Sequence, residues 1–426
     1  MTKIILFALI SLVSVALGAC GSRSAVPSPG RITPDLFQKN LYRGWQSTPI
    51  KDINGQDAQV IGLTVDTVNH KMWVASNVFN HAAGGSLTKV AMGLKLTTYP
   101  LAITPWAITM GPDQNLWIAG TDVNFNVVVA RVTQSGAETD FPVPQIADPI
   151  IEQIITGPDG ALWFTEFESK NCSGGIGRID TSGNYTFYPG GCITSIVSGP
   201  DGNIWFGDTQ NVYAMDMQGA ILGTYPVGSV WGKGMAVGAD GNIYAIATTP
   251  DQNRYLFRIT TAGVVTQVMG SSAPSVTLAN GPDGRLWMFD IPGRDPHLVS
   301  FDPIKQTWGP QIFAKPYTGT QIVSGPDGNL WIAPGGNHVN VYALLAITAT
   351  PNMLTIKVGQ KAKVNVTETN YTGQWTAVAH DKSIIGVDPV AKNGVFTVTG
   401  LAVGSSYFGI SDSMFNSVAV NVTVTM

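Results

Sequence analysis

Charged residues are scarce in this sequence, filling 12% of its 426 positions, about half the ~25% usual for a globular protein. The net charge is −4 and no basic cluster occurs, which excludes nucleic acid as a partner. After the first 20 residues there is no long apolar helical run. No Gly-x-Ser-x-Gly, His-Glu-x-x-His or Walker phrase is present either, so the reaction classes those phrases mark find no support. Disorder is excluded by a hydrophobic share of 44%. What the chain has in plenty is Gly (48) and Pro (26), the residues that punctuate many short strands, as in an exported all-β protein. Its length is too great for one ordinary core, so two domains are expected.

The N-terminus carries the sharpest local signal. Lys3 precedes an apolar run over Ile4–Leu17, short against the ~20 residues of a spanning helix and suited to a signal peptide. It ends in Leu17-Gly18-Ala19-Cys20, which resembles a bacterial lipobox. The resemblance implies cleavage before Cys20 and lipidation of its thiol, with each buried methylene contributing ~0.8 kcal/mol to membrane attachment. An ordinary signal peptide that happens to be cut near a cysteine is the alternative. Residues 1–19 thus read as a lipoprotein signal peptide and 20–35 as lipidated Cys and flexible tether. The membrane, reached through Cys20, becomes a partner. The location implied is the cell envelope, and Gly21 in place of Asp favours the outer membrane or cell surface. The two remaining cysteines, Cys172 and Cys192, are expected to form a disulfide in that compartment, worth ~3 kcal/mol.

One phrase recurs along the chain. Its fullest form is Gly157-Pro158-Asp159-Gly160-Ala161-Leu162-Trp163-Phe164, and it returns around Trp205, Trp287 and Trp331, with weaker copies ending at Trp117 and Tyr244 and a divergent one at Trp73. The spacings between these aromatic positions are 44, 46, 42, 39, 43 and 44. A period of ~40–45 with short strands is that of a propeller blade. The fold class is therefore all-β: a seven-bladed β-propeller over 36–346 followed by a small Ig-like β-sandwich over 347–426. We name the strands of each blade A to D from the channel outward. Strand A of the third unit is expected at Gln153–Thr156, B at Leu162–Glu166, C at Gly175–Asp180 and D at Tyr185–Tyr188, with the repeated aromatic packed between blades. The seventh unit runs out after its third strand, so its outer strand should come from within Ile32–Lys51 and close the ring. The last segment alternates in short strands and resembles the bacterial immunoglobulin-like group 2 modules, which implies a spacer or adhesive unit.

Residues 157–166 followed by Ile176-Gly177-Arg178-Ile179 resemble the repeat of the virginiamycin B lyase (streptogramin B lyase) family, over about residues 60–346. That resemblance implies elimination chemistry on a cyclic depsipeptide, with a histidine base and a magnesium ion held by glutamates, on the face where strands A begin and strands B end. We call this the front face. The histidine positions, five residues before the turn phrase, hold Trp106, Glu152, Thr194, Lys233, Val276 and Thr320 here. The five histidines lie elsewhere (His70, His81, His297, His338, His380), and only His81, His297 and His338 fall in loops near that face. The glutamate position is kept once, as Glu166; its counterparts are Ser76, Gly120, Asp208, Ala247, Asp290 and Pro334. The expected base is missing.

The front face nonetheless supplies candidates. Glu152, Glu166, Asp208, Asp290 and Lys233 are its charges, with Trp106 and Trp231 as aromatics suited to stacking on a sugar or peptide. Glu166, Asp208 and Asp290 form a candidate set for Mg²⁺ or Ca²⁺; solvated rim charges are the alternative, as half-buried packing is for the tryptophans. Asp295 and His297 could form an acid–base pair or a plain loop contact. No catalytic residue is assigned. The sequence predicts an exported, lipid-anchored propeller that binds a small-molecule, glycan or protein ligand on its front face, without the lyase chemistry. The alternatives are a metal-dependent lyase or hydrolase, and a structural or adhesion component of the envelope.

Overall fold

In the third repeat Pro158 presets its backbone angle and Gly160 takes φ +73°, so the chain reverses tightly between Ile154–Thr156 and Leu162–Glu168. Gly160 N donates to Gly157 O at 3.1 Å to close the turn. Strands Gly174–Ile179 and Tyr185–Gly190 complete the blade as expected. The same turn recurs in the second and in the fourth to seventh units, with Gln114 standing at φ 59° in the second. The computed structural model describes residues 45–78, 84–91, 95–144, 149–168, 170–268, 274–290, 297–309, 312–313, 321–333, 335–342, 347–368, 374–411 and 417–426.

Seven antiparallel sheets of this kind follow one another. Their inner strands neighbour each other in chain order, and Gln321–Ser324 of the seventh returns to Ala58–Asp66 of the first. The seal between blades is the repeated aromatic. Trp163 is fully buried and packs with Ile193, Ile196 and Ile204 of the fourth blade; Trp331 packs with Val60, Leu63 and Val74 of the first. Each indole has a polar anchor in its own turn: Trp117, Trp163, Trp205, Trp287 and Trp331 donate Nε1 to Asp113, Asp159, Asp201, Asp283 and Asp327 at 2.9–3.0 Å. Tyr244 donates its hydroxyl to Asp240 at 3.1 Å. This explains the first glycine of the phrase, since a Cβ at Gly157 would lie 2.3 Å from Trp163 Cδ1. Trp73 comes from the divergent copy, and its Nε1 has no partner among the described residues.

The ring closes as expected. Trp45–Pro49 pairs antiparallel with His338–Tyr342 and becomes the outer strand of the seventh blade, in the order Trp45–Pro49, His338–Tyr342, Leu330–Ala333, Gln321–Ser324. The Cys172–Cys192 disulfide is present, with Cα atoms 4.5 Å apart. It ties the B–C loop of the third blade to the segment leading into the fourth, both on the front face.

Residues 347–426 form two four-stranded sheets. Alternate residues turn inward, as in Lys361–Thr367, where Val364 and Val366 are buried. Val364, Phe396, Val398, Phe408, Ile410, Val420 and Val422 share one core. One strand pair, Met353–Lys357 with Ser417–Thr425, is parallel. Among the described residues no helix is long and apolar enough to cross a membrane. The expected signal peptide, Cys20 and the tether lie outside the described residues.

Candidate functional site

The inner strands do not run smoothly into the front face. Register breaks between Pro105 and Ala107, Val230 and Met235, and Pro274 and Leu278. In the third blade two short pieces, Pro149–Ile150 and Ile154–Thr156, leave Ile151–Gln153 out of the ladder. Such bulges re-aim side chains, and they fall where Trp106, Glu152, Lys233 and Val276 stand. In the fourth blade Thr194 occupies this position, fully buried, and donates Oγ1 to Val230 O at 2.6 Å.

Glu152 and Lys233 are the two charges this arrangement brings into interaction. The Thr165 hydroxyl accepts the amides of Glu152 and Gln153 at 3.3 and 3.2 Å, satisfying the donors that the break exposes. Gln153 Oε1 accepts the Ile196 amide at 2.9 Å, fixing this segment to the fourth blade. The Glu152 carboxyl is pushed up to about 7 by burial, against the pull of Lys233, and its Oε2 has no hydrogen-bond partner among the described residues. Burial lowers the Lys233 ammonium to about 8, with Glu152 opposing. Both groups exchange protons close to neutrality, the range a general acid or base requires.

Glu166 is not a rim charge. It is 0% exposed and takes a 2.9 Å hydrogen bond from the Tyr185 hydroxyl on Oε2. Its Oε1 is buried and unpartnered among the described residues. Burial pushes its pKa up, the Tyr185 bond opposing, and the Tyr185 hydroxyl is raised by its own burial and by Glu166. Tyr185 stacks on Phe164 at 6.2 Å beside the core between the second and third blades. Position along strand B suggested a rim place for Glu166; its alternation with Leu162 and Phe164 turns it into that seam.

Asp208 caps its own B–C turn. Oδ1 accepts the Gln210 and Asn211 amides at 2.7 Å each, and Oδ2 accepts the Tyr213 hydroxyl at 2.9 Å. Asp290 pairs in register with Pro274 and His297; its side chain lies outside the described residues, as do Asp295 and His81. His297 and His338 each begin a strand C. Among the described residues no group of three or more His, Cys, Asp or Glu gathers as a metal cage. Glu166, enclosed with Tyr185, and Asp208, spent on its turn, do not fit the magnesium site that the resemblance implies.

The two tryptophans differ. Trp106 is half-buried against the seam of the second and third blades, the packing alternative. Trp231 is 41% exposed and lines an open cleft of ≈770 Å³ between the fourth and fifth blades. Sequence reasoning passed over the other walls of this cleft, among them Gln252 in the B–C turn of the fifth blade and Arg254 at the start of its strand C.

The profile of the virginiamycin B lyase family matches residues 95–340. Among solved structures, virginiamycin B lyase from Staphylococcus aureus is similar at 20% identity and a TM-score of 0.56, covering 70% of this chain and 99% of its own. A streptogramin B lyase is similar at 16% and 0.55, covering 70% and 98%. The WD40 propeller domain of Doa1, at 12% and 0.51 over 71% and 98%, shares the fold. No curated protein matches the sequence.

Proposed function

This chain belongs to the virginiamycin B lyase family, and from that premise we propose that it is an exported, lipid-anchored propeller that binds a ligand or protein partner on its front face without the family's lyase chemistry. The observation that carries this reading is the open cleft with Trp231 on its wall. Loops on a rigid ring are where a propeller places recognition, and the position that should bear a histidine base bears Trp106, Glu152, Thr194 and Lys233. In this reading the chain is cut before Cys20, held to the envelope by lipid, and displayed beyond a tether. Residues 347–426 serve as an immunoglobulin-like spacer.

The test has two arms. Incubated with a streptogramin B cyclic depsipeptide, the protein should leave the ring intact by mass spectrometry; a linear product would restore the lyase. A photoreactive residue in place of Trp231, used on intact producing cells, should capture a partner that the same residue at Gln218, in a C–D turn of the opposite face, does not. Equal capture from both positions would remove the front-face assignment.

One observation favours the second reading, a lyase or hydrolase. Glu152 at about 7 and Lys233 at about 8 are poised to take and return a proton. In that case a linear product would disappear in Lys233→Met and Glu152→Gln.

A further inference from the structure

We propose that the cleft between the fourth and fifth blades takes a short oligosaccharide bearing a carboxylate. The inference rests on the front-face reading above and names the ligand class of that face. Trp231 stands in the break of its inner strand and is 41% exposed, although an indole usually seeks burial. A flat, wet aromatic wall suits the apolar face of a pyranose ring. Around it the lining is rich in neutral hydrogen-bonding side chains, Thr209, Gln210, Thr248 and Gln252 among them. Amides and hydroxyls of this kind match sugar hydroxyls, whereas an apolar ligand would leave them unpaired. The volume of ≈770 Å³ is that of a ligand cleft (~300–1,000 Å³).

The acidic part of the inference comes from Arg254. It lines the cleft, is exposed, and makes no ion pair among the described residues. The nearest acid in sequence, Asp251, is occupied. It accepts hydrogen bonds from Thr249, from the Asn253 amide and side chain at 3.1 and 2.9 Å, and from the Tyr255 hydroxyl at 3.1 Å. Arg254 is therefore a cation whose planar fork is left for a carboxylate from outside. A single arginine in a neutral lining argues against a polyanion.

The probes are a galactose tetrasaccharide carrying a single terminal galacturonate and its all-galactose neutral counterpart, titrated into the full chain in detergent and followed by tryptophan fluorescence and calorimetry. The acidic sugar should bind and quench fluorescence. Trp231→Ala should weaken it at least tenfold. Arg254→Gln should weaken the acidic sugar about tenfold, as loss of a charged hydrogen bond does, and leave the neutral one unchanged. Both variants should keep the parent melting temperature, which separates lost binding from lost folding. No binding of the acidic sugar, or binding indifferent to Trp231→Ala, overturns the proposal. Equal affinity for both sugars removes its acidic part, and tighter binding of a tetraglutamate peptide at the same residues removes the sugar. If both sugars fail while position 231 still captures a partner on cells, the ligand class falls and the front-face reading stands.

Discussion

The two faces of the ring obey different rules. On the face of the A–B turns, six blades repeat one device: an aspartate two residues beyond the first glycine accepts a hydrogen bond from the aromatic that seals the next blade. On the front face the equivalent ring positions hold Trp106, Glu152, Thr194 and Lys233, each in a different environment. The seam must meet the same neighbour seven times, so its chemistry is copied. Front-face residues at a break in the ladder meet no copied neighbour and are free to differ. Uniformity therefore marks scaffold, and irregularity marks the candidate site.

Five measurements would break or sharpen this contrast. The largest effect is expected from Trp163→Ala, which empties a fully buried seam position and should lower stability by ~3–5 kcal/mol in denaturant unfolding. Replacing Cys172 and Cys192 together by Ser should cost ~3 kcal/mol, since this bridge is the front face's one covalent tie among the described residues. Asp159→Ala should cost ~1–3 kcal/mol by orphaning the Trp163 indole. The Asp159 carboxyl has a pH signature too. Burial alone would raise it, but the bonds from Trp163, Arg178 and Ala161 outweigh that and hold it below its ordinary value. Its contribution is thus present above the unfolded carboxylate range of ~4 and lost as pH falls further, and the variant should lose that acid-dependent part.

Glu166 should behave with the opposite sign. Its folded pKa is raised by burial, so its contribution is full below ~4.3 and lost as pH rises through the folded value. Glu166→Gln should therefore gain melting temperature relative to the parent as pH rises above ~4.3, and Tyr185→Phe should lose it. A difference that does not change with rising pH would mean that burial does not act on the Glu166 carboxyl. The smallest effect is expected from Trp231→Ala, within ~0.5 kcal/mol by unfolding. A cost as large as that of Trp163→Ala would end the distinction between the faces.

The sequence made the scaffold readable for the same reason. The period of the aromatic positions gave the blade count, and the shortfall after His338–Tyr342 called for an outer strand from the other end of the propeller. The role of the repeated aspartate was not readable as more than a turn signal, because its indole partner is set by side-chain geometry. Glu166 was legible as a strand-B terminus but not as a buried acid; only Tyr185, two strands away, makes the seam hospitable to it. The electrostatic influence of Glu152 and Lys233 on each other links the third blade to the fifth, and no local pattern announces it. The cleft combines one break in an inner strand with the B–C loops of the fourth and fifth blades, whose sequences carry no repeat, so Arg254 left no trace in the periodicity.

The pairing of Trp45–Pro49 with His338–Tyr342 also dictates an order of assembly. A ribosome makes these partners at opposite ends of the propeller, so the earliest strand must wait for the latest repeat. Contacts so distant in sequence form slowly. Until the last repeat has been made, the leading strand stays unmatched. Completion of the circle is then the final event of assembly, and a propeller short of its last blade has no closed form to rest in.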